Sequence, residues 1–312
     1  MSFLRPAAGS DRPHLPAQER LRALSSPSAD EPDEGAGLAA EAETPEPDDE
    51  PEPEPDDGTE PELPPAVDLP PALALPFLRG GDLEIVGRLV QASNTTLLVT
   101  VTGEVPGRGV ITAGAVYKAI RGERPLWDFP EATLAHREVA AHDVSEASGW
   151  QIVPPTVFRA EGPMGPGMLQ LWVATRDDVD ILALLQSGDP RLRRIALFDA
   201  VVNNADRKGG HLLVRADGLI QGVDHGVTFS VDPKLRTILW GWRGTLIAPR
   251  ELQVLAALRP KLAVGGPLAA ALAEHLDAAE IDQARARLDE LLGSRKFPHP
   301  HPDWPAVPWP WY

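Results

Sequence analysis

The sequence predicts an α+β fold in two lobes, a small antiparallel β lobe followed by a mainly helical one. Three observations carry this prediction. Residues 83–120 alternate β-branched and apolar side chains with turn residues, whereas residues 190–292 are dominated by helical spacing. Between Asp30 and Glu62 stand 16 acidic residues and no Lys or Arg, a stretch with no apolar period. That stretch leaves −1 of the chain's net charge of −17 for everything else, so the acidity belongs to a tail and the folded part is close to neutral. The organisation that follows is an acidic Pro-rich tail over 1–76, expected to be disordered because it cannot bury enough apolar surface to offset its ordering entropy. A domain over 77–292 comes next, split into lobes at 77–174 and 175–292, and a Pro/Trp-rich tail fills 293–312.

Composition limits the function classes. With 43% hydrophobic residues in 312, one two-lobed core is affordable, and the absence of Cys excludes disulfides, thiolate metal sites and Cys nucleophiles. The absence of thiols and of a continuous apolar core in residues 1–24 leads to the expectation of a cytoplasmic protein without a signal peptide. No stretch approaches the roughly 20 apolar residues of a membrane span, so any membrane contact is expected to be peripheral. A nucleic-acid partner would need a basic stripe, and none stands out.

Element by element, residues 83–91 and 97–102 form a hairpin around a polar turn, and 109–120 adds a third strand. Helical spacing over 131–148 places Leu134, Val139, Val144 and Ala147 on one face, with Gly149 as its stop. Two more strands are expected at 152–158 and 168–174, then helices at 177–186 and 190–203. A short hairpin, 212–215 and 220–223, turns at Asp217-Gly218. Residues 249–292 are helical, with a break at Gly265-Gly266-Pro267, and the last 16 residues are extended.

Phosphoryl transfer demands few groups: a loop over the phosphates, a Lys on them, an Asp at the acceptor hydroxyl and metal ligands. The chain supplies each in a workable order. Lys118 is late on the third strand, and Glu138 on the next helix is placed to pair with it. The turn Ser93-Asn94-Thr95-Thr96 offers backbone N–H groups and hydroxyls to phosphates. Asp206 sits in a polar loop that begins at Asn203 after a helix, and is the candidate to receive or orient the hydroxyl proton. His211 and Asp224 are the candidate metal ligands. Gln170, Leu171 and Trp172 lie where a strand would run towards an adenine ring. Arg207, Lys208, Lys234 and Arg236 are the cations expected near an anionic acceptor.

The segments SNTT, VYKAIRGERPLWDF, FDAVVNNADRKGGHLLV and GVDHGVTF resemble an actinobacterial protein family related to phosphatidylinositol 3- and 4-kinases, over about 78–292. The resemblance implies a two-lobed protein-kinase-like (PI3/4-kinase-like) fold, ATP with Mg²⁺ or Mn²⁺ between the lobes, and transfer to an unknown hydroxyl acceptor. It makes Lys118 the nucleotide Lys, Asp206-Arg207 the opening of the catalytic loop, and Asp224 the counterpart of the Asp in the metal-binding Asp-Phe-Gly. No Gly-x-Gly-x-x-Gly or His-Arg-Asp is present, which sets the chain apart from ordinary protein kinases. His211 stands where those relatives carry Asn, and imidazole suits Mn²⁺ better than Mg²⁺. The alternative expectation is a pseudokinase-like module that binds nucleotide or a partner without catalysis.

Overall fold

The computed structural model describes residues 63–89, 95–176 and 178–312. The predicted turn residues Ser93 and Asn94 lie outside them, as does the whole acidic stretch 30–62. Ordered structure begins earlier than the expected residue 77. Residues 63–70 run extended over the sheet, where the Gly114 N–H donates to the Pro65 carbonyl, and helix α1 spans Pro71–Gly80. The helix starts on Pro71 at its first turn, where the missing N–H costs nothing, and buries Ala74, Phe77 and Leu78. Composition hid it, because Pro-rich flanks mask a short apolar face.

Five strands follow the predicted order: β1 (Asp82–Arg88), β2 (Thr96–Val105), β3 (Gly109–Ala119), β4 (Thr156–Arg159) and β5 (Gly167–Leu171). They form one antiparallel sheet in the order β1-β2-β3-β5-β4. Between β3 and β4 the chain crosses through α2 (Leu134–Ser148). The expectation of an amphipathic helix is exceeded here: α2 buries Arg137, Glu138, His142 and Ser145 as well as its apolar residues. It is wedged between the sheet on one side and the helical lobe on the other, so polar side chains on its buried faces must find partners.

The second lobe contains α3 (Ile181–Gln186), α4 (Pro190–Val202), the hairpin β6 (Leu212–Val214) and β7 (Ile220–Gly222), and helices α5 (Pro249–Leu262), α6 (Pro267–Leu272) and α7 (Ala278–Ser294). Each lobe has its own apolar core. Leu78, Val99, Val101, Tyr117 and Leu169 fill the first, and Phe198, Phe229, Leu255, Leu272 and Leu288 the second. Ala135 and Val139 of α2 meet Met168 of β5 in a smaller cluster between them. The result is a mixed α/β protein with a five-stranded antiparallel sheet and a mainly helical second lobe. Among the described residues, no helix is long and apolar enough to cross a membrane.

Candidate active site between the lobes

Pairing in the sheet sets Lys118 on β3 opposite Thr96 on β2 and Met168 on β5. From there its ammonium donates to Glu138 Oε1 at 2.6 Å and to Asp224 Oδ1 at 2.9 Å. Glu138 is buried, and its other oxygen accepts the His225 backbone N–H at 2.8 Å. Burial opposes the charge on Lys118, but Asp224 and Glu138 hold its pKa well above the ordinary lysine range. Burial likewise opposes the charge on Asp224, but Lys118, His211 and Lys208 together outweigh it, so this carboxyl stays well below the usual range. Asp224 has φ +61°, in the left-handed region that Asp tolerates better than most residues, and keeps 38% of its side chain exposed.

The short hairpin brings the two halves of the site together. Leu212 pairs with Gly222, and the Val223 N–H donates to the His211 carbonyl at 3.0 Å, so the end of the 203–211 loop lies beside Asp224. Asn203 caps α4 with φ +53°, a conformation in which Asn is favoured, and its side chain ties the loop to Ser230, Asp232 and Lys234. Asn204 accepts the Asp206 N–H and donates to Asp199. Burial pushes the Asp206 carboxyl up to about 6. Asp224 adds to that rise, while Lys208 and Arg236 oppose it. Lys208 Nζ lies 3.3 Å from Asp206 Oδ2 and Arg236 Nη2 3.4 Å from Asp206 Oδ1. A carboxylate poised near neutrality beside two cations is suited to accepting a proton.

Several expected residues have other tasks. Arg207 is fully buried, paired with Asp199 at 2.9 Å, donating to the Val223 carbonyl and lying 2.5 Å from His225 Nε2. Its guanidinium leaves so little room that a Cβ on Gly222 would sit 3.0 Å from it. The expectation of Arg207 as a substrate cation is therefore corrected: it braces the loop. Lys234 is also buried, 2.9 Å from Asp128 Oδ2 and ringed by Trp127, Phe129 and Trp304. Arg236 spends its Nε–H on the Ala205 carbonyl at 2.7 Å. Both are committed to holding the loop, so the expectation of two free cations for an anionic acceptor is corrected as well. Lys208 directs its ammonium to the Asp206 carboxylate, 3.3 Å from Oδ2.

The residues expected beside an adenine ring are taken up by the sheet. Gln170 donates to Thr156 Oγ1 inside the sheet and Leu171 is in the core. The Leu171 and Trp172 N–H groups are taken by the Pro155 and Gly114 carbonyls, so the crossing between lobes falls on 173–175 instead. Thr95 contacts Gly122, with its N–H on the Gly122 carbonyl at 3.0 Å, and Thr96 is buried opposite Lys118.

Among the described residues no three His, Cys, Asp or Glu side chains form a metal cage. Mg²⁺ carried on nucleotide phosphates needs none, because one or two carboxylates suffice. Asp224, ionised and partly exposed, fits that role. His211 fits it less well. Its Nδ1 accepts the Lys208 N–H at 3.4 Å, which in a neutral ring leaves the proton on Nε2, 3.5 Å from Asp224 Oδ2. Burial pushes this imidazole down to about 3, so the ring is neutral at ordinary pH. As placed, His211 faces Asp224 with its Nδ1 already taken by a backbone N–H, a correction to the expectation of a metal ligand.

Some working residues had weak signals in the sequence. Glu123 accepts the Leu134 and Ala135 N–H groups and so caps α2 with a carboxylate at its positive end. Asp199 was legible only as a charge among the apolar residues of α4. Arg137 pairs in the interior with Glu280, donates to the Thr228 carbonyl at 2.6 Å and stacks over Phe129.

Fold and site together define a two-lobed α/β protein with a buried Lys-Glu-Asp set facing an Asp-bearing loop. By sequence the chain is 42% identical to Protein Rv2133c of Mycobacterium tuberculosis over 268 residues, 75% of this chain and 93% of the relative, and it belongs to that protein's family. No protein-family model matches. Among solved structures it is similar to the Helicobacter pylori proinflammatory kinase CtkA (TM-score 0.42, 10% identity, covering 70% of this chain and 94% of that one). It is also similar to hydra Fam20 with sugar (TM-score 0.41, 14% identity, covering 70% and 86%).

Proposed function

We propose that the protein is an ATP- and metal-dependent phosphotransferase of the PI3/4-kinase-like class that acts on a hydroxyl acceptor. The observation that supports this most is the position of Lys118, held at 2.6 Å from Glu138 and 2.9 Å from Asp224. One ammonium fixed by a buried carboxylate and facing a metal-competent one is what cradling a triphosphate requires. In this reading Lys118 would hold the α/β-phosphates and Asp224 the metal ion. A bound Mg²⁺ or Mn²⁺ would supply charge neutralisation on the phosphates. Asp206 accepts the acceptor proton, Lys208 offsets charge on the transferring group, and His211 orients Asp224. The backbone at 173–175 meets the adenine.

The hydrogen bonding of His211 supports a second reading, a pseudokinase-like module that binds nucleotide without transfer, because it removes one ligand from a two-ion arrangement. The Asp206→Asn variant separates the two. The enzyme reading expects ATP affinity within about twofold of the parent and a loss of transfer of about 10³-fold or more. Equal phosphate release from Asp206→Asn and the parent would overturn the role given to Asp206.

A further inference from the structure

The Pro/Trp-rich segment does not project from the molecule. It runs back over the second lobe and ends on the 206–211 loop. The Ala306 carbonyl accepts both the Thr237 N–H at 3.0 Å and the Trp240 indole N–H at 2.7 Å, and the Trp304 ring lies 5.3 Å from Lys234 Nζ. At its end the Trp311 carbonyl accepts the Gly209 N–H at 2.9 Å, and Tyr312 packs on the core of the second lobe.

Gly209 shows how close this approach is. A Cβ there would stand 2.8 Å from Tyr312 Cδ2 and 3.4 Å from Ile181 Cγ2. Its φ is not in the left-handed region, so the ring, not the backbone, demands glycine. On one side of Gly209 is Lys208, which pairs with Asp206, and on the other the short turn to His211, which faces Asp224. The loop is anchored at its start by Arg207 and at its end by the His211 carbonyl. Two adjacent glycines between those anchors are entropically expensive to order. The contact from 311–312 supplies the missing restraint at the middle of the loop.

We infer that Trp311 and Tyr312 are positioning residues for the catalytic loop, clamping Gly209 so that Asp206, Lys208 and His211 keep their spacing. This rests on the phosphotransferase reading for its effect on turnover, but not for its effect on the loop. Their contacts fall on Gly209 and on the core of the second lobe. Their loss is expected in kcat and not in nucleotide binding, because Lys118 and Glu138 belong to the other side of the cleft.

The test uses the full chain, with Tyr312→Ala, Gly209→Ala and the double variant. Amide hydrogen exchange over 206–211 is expected to speed up about tenfold in Tyr312→Ala, with exchange in β2 and β3 unchanged. With ATP and Mg²⁺, kcat is expected to fall about tenfold in each single variant while the ATP Kd stays within about twofold. Because both substitutions release the same contact, the double variant should lose no more than the worse single one. Unchanged exchange over 206–211 in Tyr312→Ala overturns the inference, and so do additive losses. A parent chain that transfers no phosphate, yet shows the faster loop exchange in Tyr312→Ala, would leave the clamp standing and remove the phosphotransferase reading alone.

Discussion

At the scale of the residue, Asp206 carries the sharpest consequences. Its carboxyl is raised by burial to about 6, well above the unfolded value. Turnover should therefore rise with pH through a half-maximum near 6, which a profile of kcat/KM between pH 5 and 8 checks. The sign for stability is the reverse. A carboxyl with a raised folded pKa favours folding when protonated and loses that contribution as pH rises through 6, so the ionised Asp206 is a cost at neutral pH. Asp206→Asn should gain about 1–3 kcal/mol at pH 7.5, seen as a higher melting temperature in the variant that loses transfer. Arg207 is the opposite case. Removing it strands Asp199 in the interior, so Arg207→Ala should cost about 3–5 kcal/mol in a denaturant titration. Lys118, Asp206 and Asp224 stand out in the sequence because their order along the chain matches what phosphoryl transfer needs, and the fold sets Lys118 2.9 Å from Asp224. The placement of the cations was not legible, since a sequence does not say whether Arg207 or Lys234 faces the cleft or the interior, and here Asp199 and Asp128 decide it.

At the scale of the element, α2 transmits between the lobes. Its start is fixed by Glu123, its first turns carry Arg137 and Glu138 to partners in the second lobe, and His136 stacks on Phe158 of β4. His136 Nδ1 also lies 3.0 Å from His275 Nδ1, beyond α6. Burial lowers the pKa of both rings, and on His136 the like charge of His275 adds to it. A histidine whose folded pKa lies below its unfolded one destabilises the fold as pH drops below about 6.5, where the unfolded chain takes up the extra proton. The buried rings of His211 and His225 act in the same direction. The melting temperature should accordingly fall between pH 7.5 and 5, and fall less in His275→Gln. A profile identical to the parent's would remove the pair as a cause. The strands, α2, α4 and the α5–α6 break were legible because period and turn chemistry agree there. Helix α1 was not, as three buried side chains between prolines give no period long enough to read.

At the scale of the whole molecule, one buried polar chain joins the lobes. Lys118 bonds Glu138, which accepts the His225 N–H; the His225 ring meets Arg207; and Arg207 meets Asp199, which holds Asn204 beneath Asp206. Asp206 and Glu138, the latter paired with Lys118 beside Asp224, are thus positioned by one network and not by separate loops. No sequence pattern announces such a chain, since its members are spread from 118 to 225 and become neighbours only through the fold. The most direct test of this account is phosphate transfer from ATP by the full chain, with Mg²⁺ and with Mn²⁺, beside Lys118→Ala and Asp224→Ala. The account predicts metal-dependent transfer in the parent, with both variants reduced about 10²-fold or more and ATP binding weakened in Lys118→Ala. Transfer that persists in both variants, or that needs no metal, would contradict it.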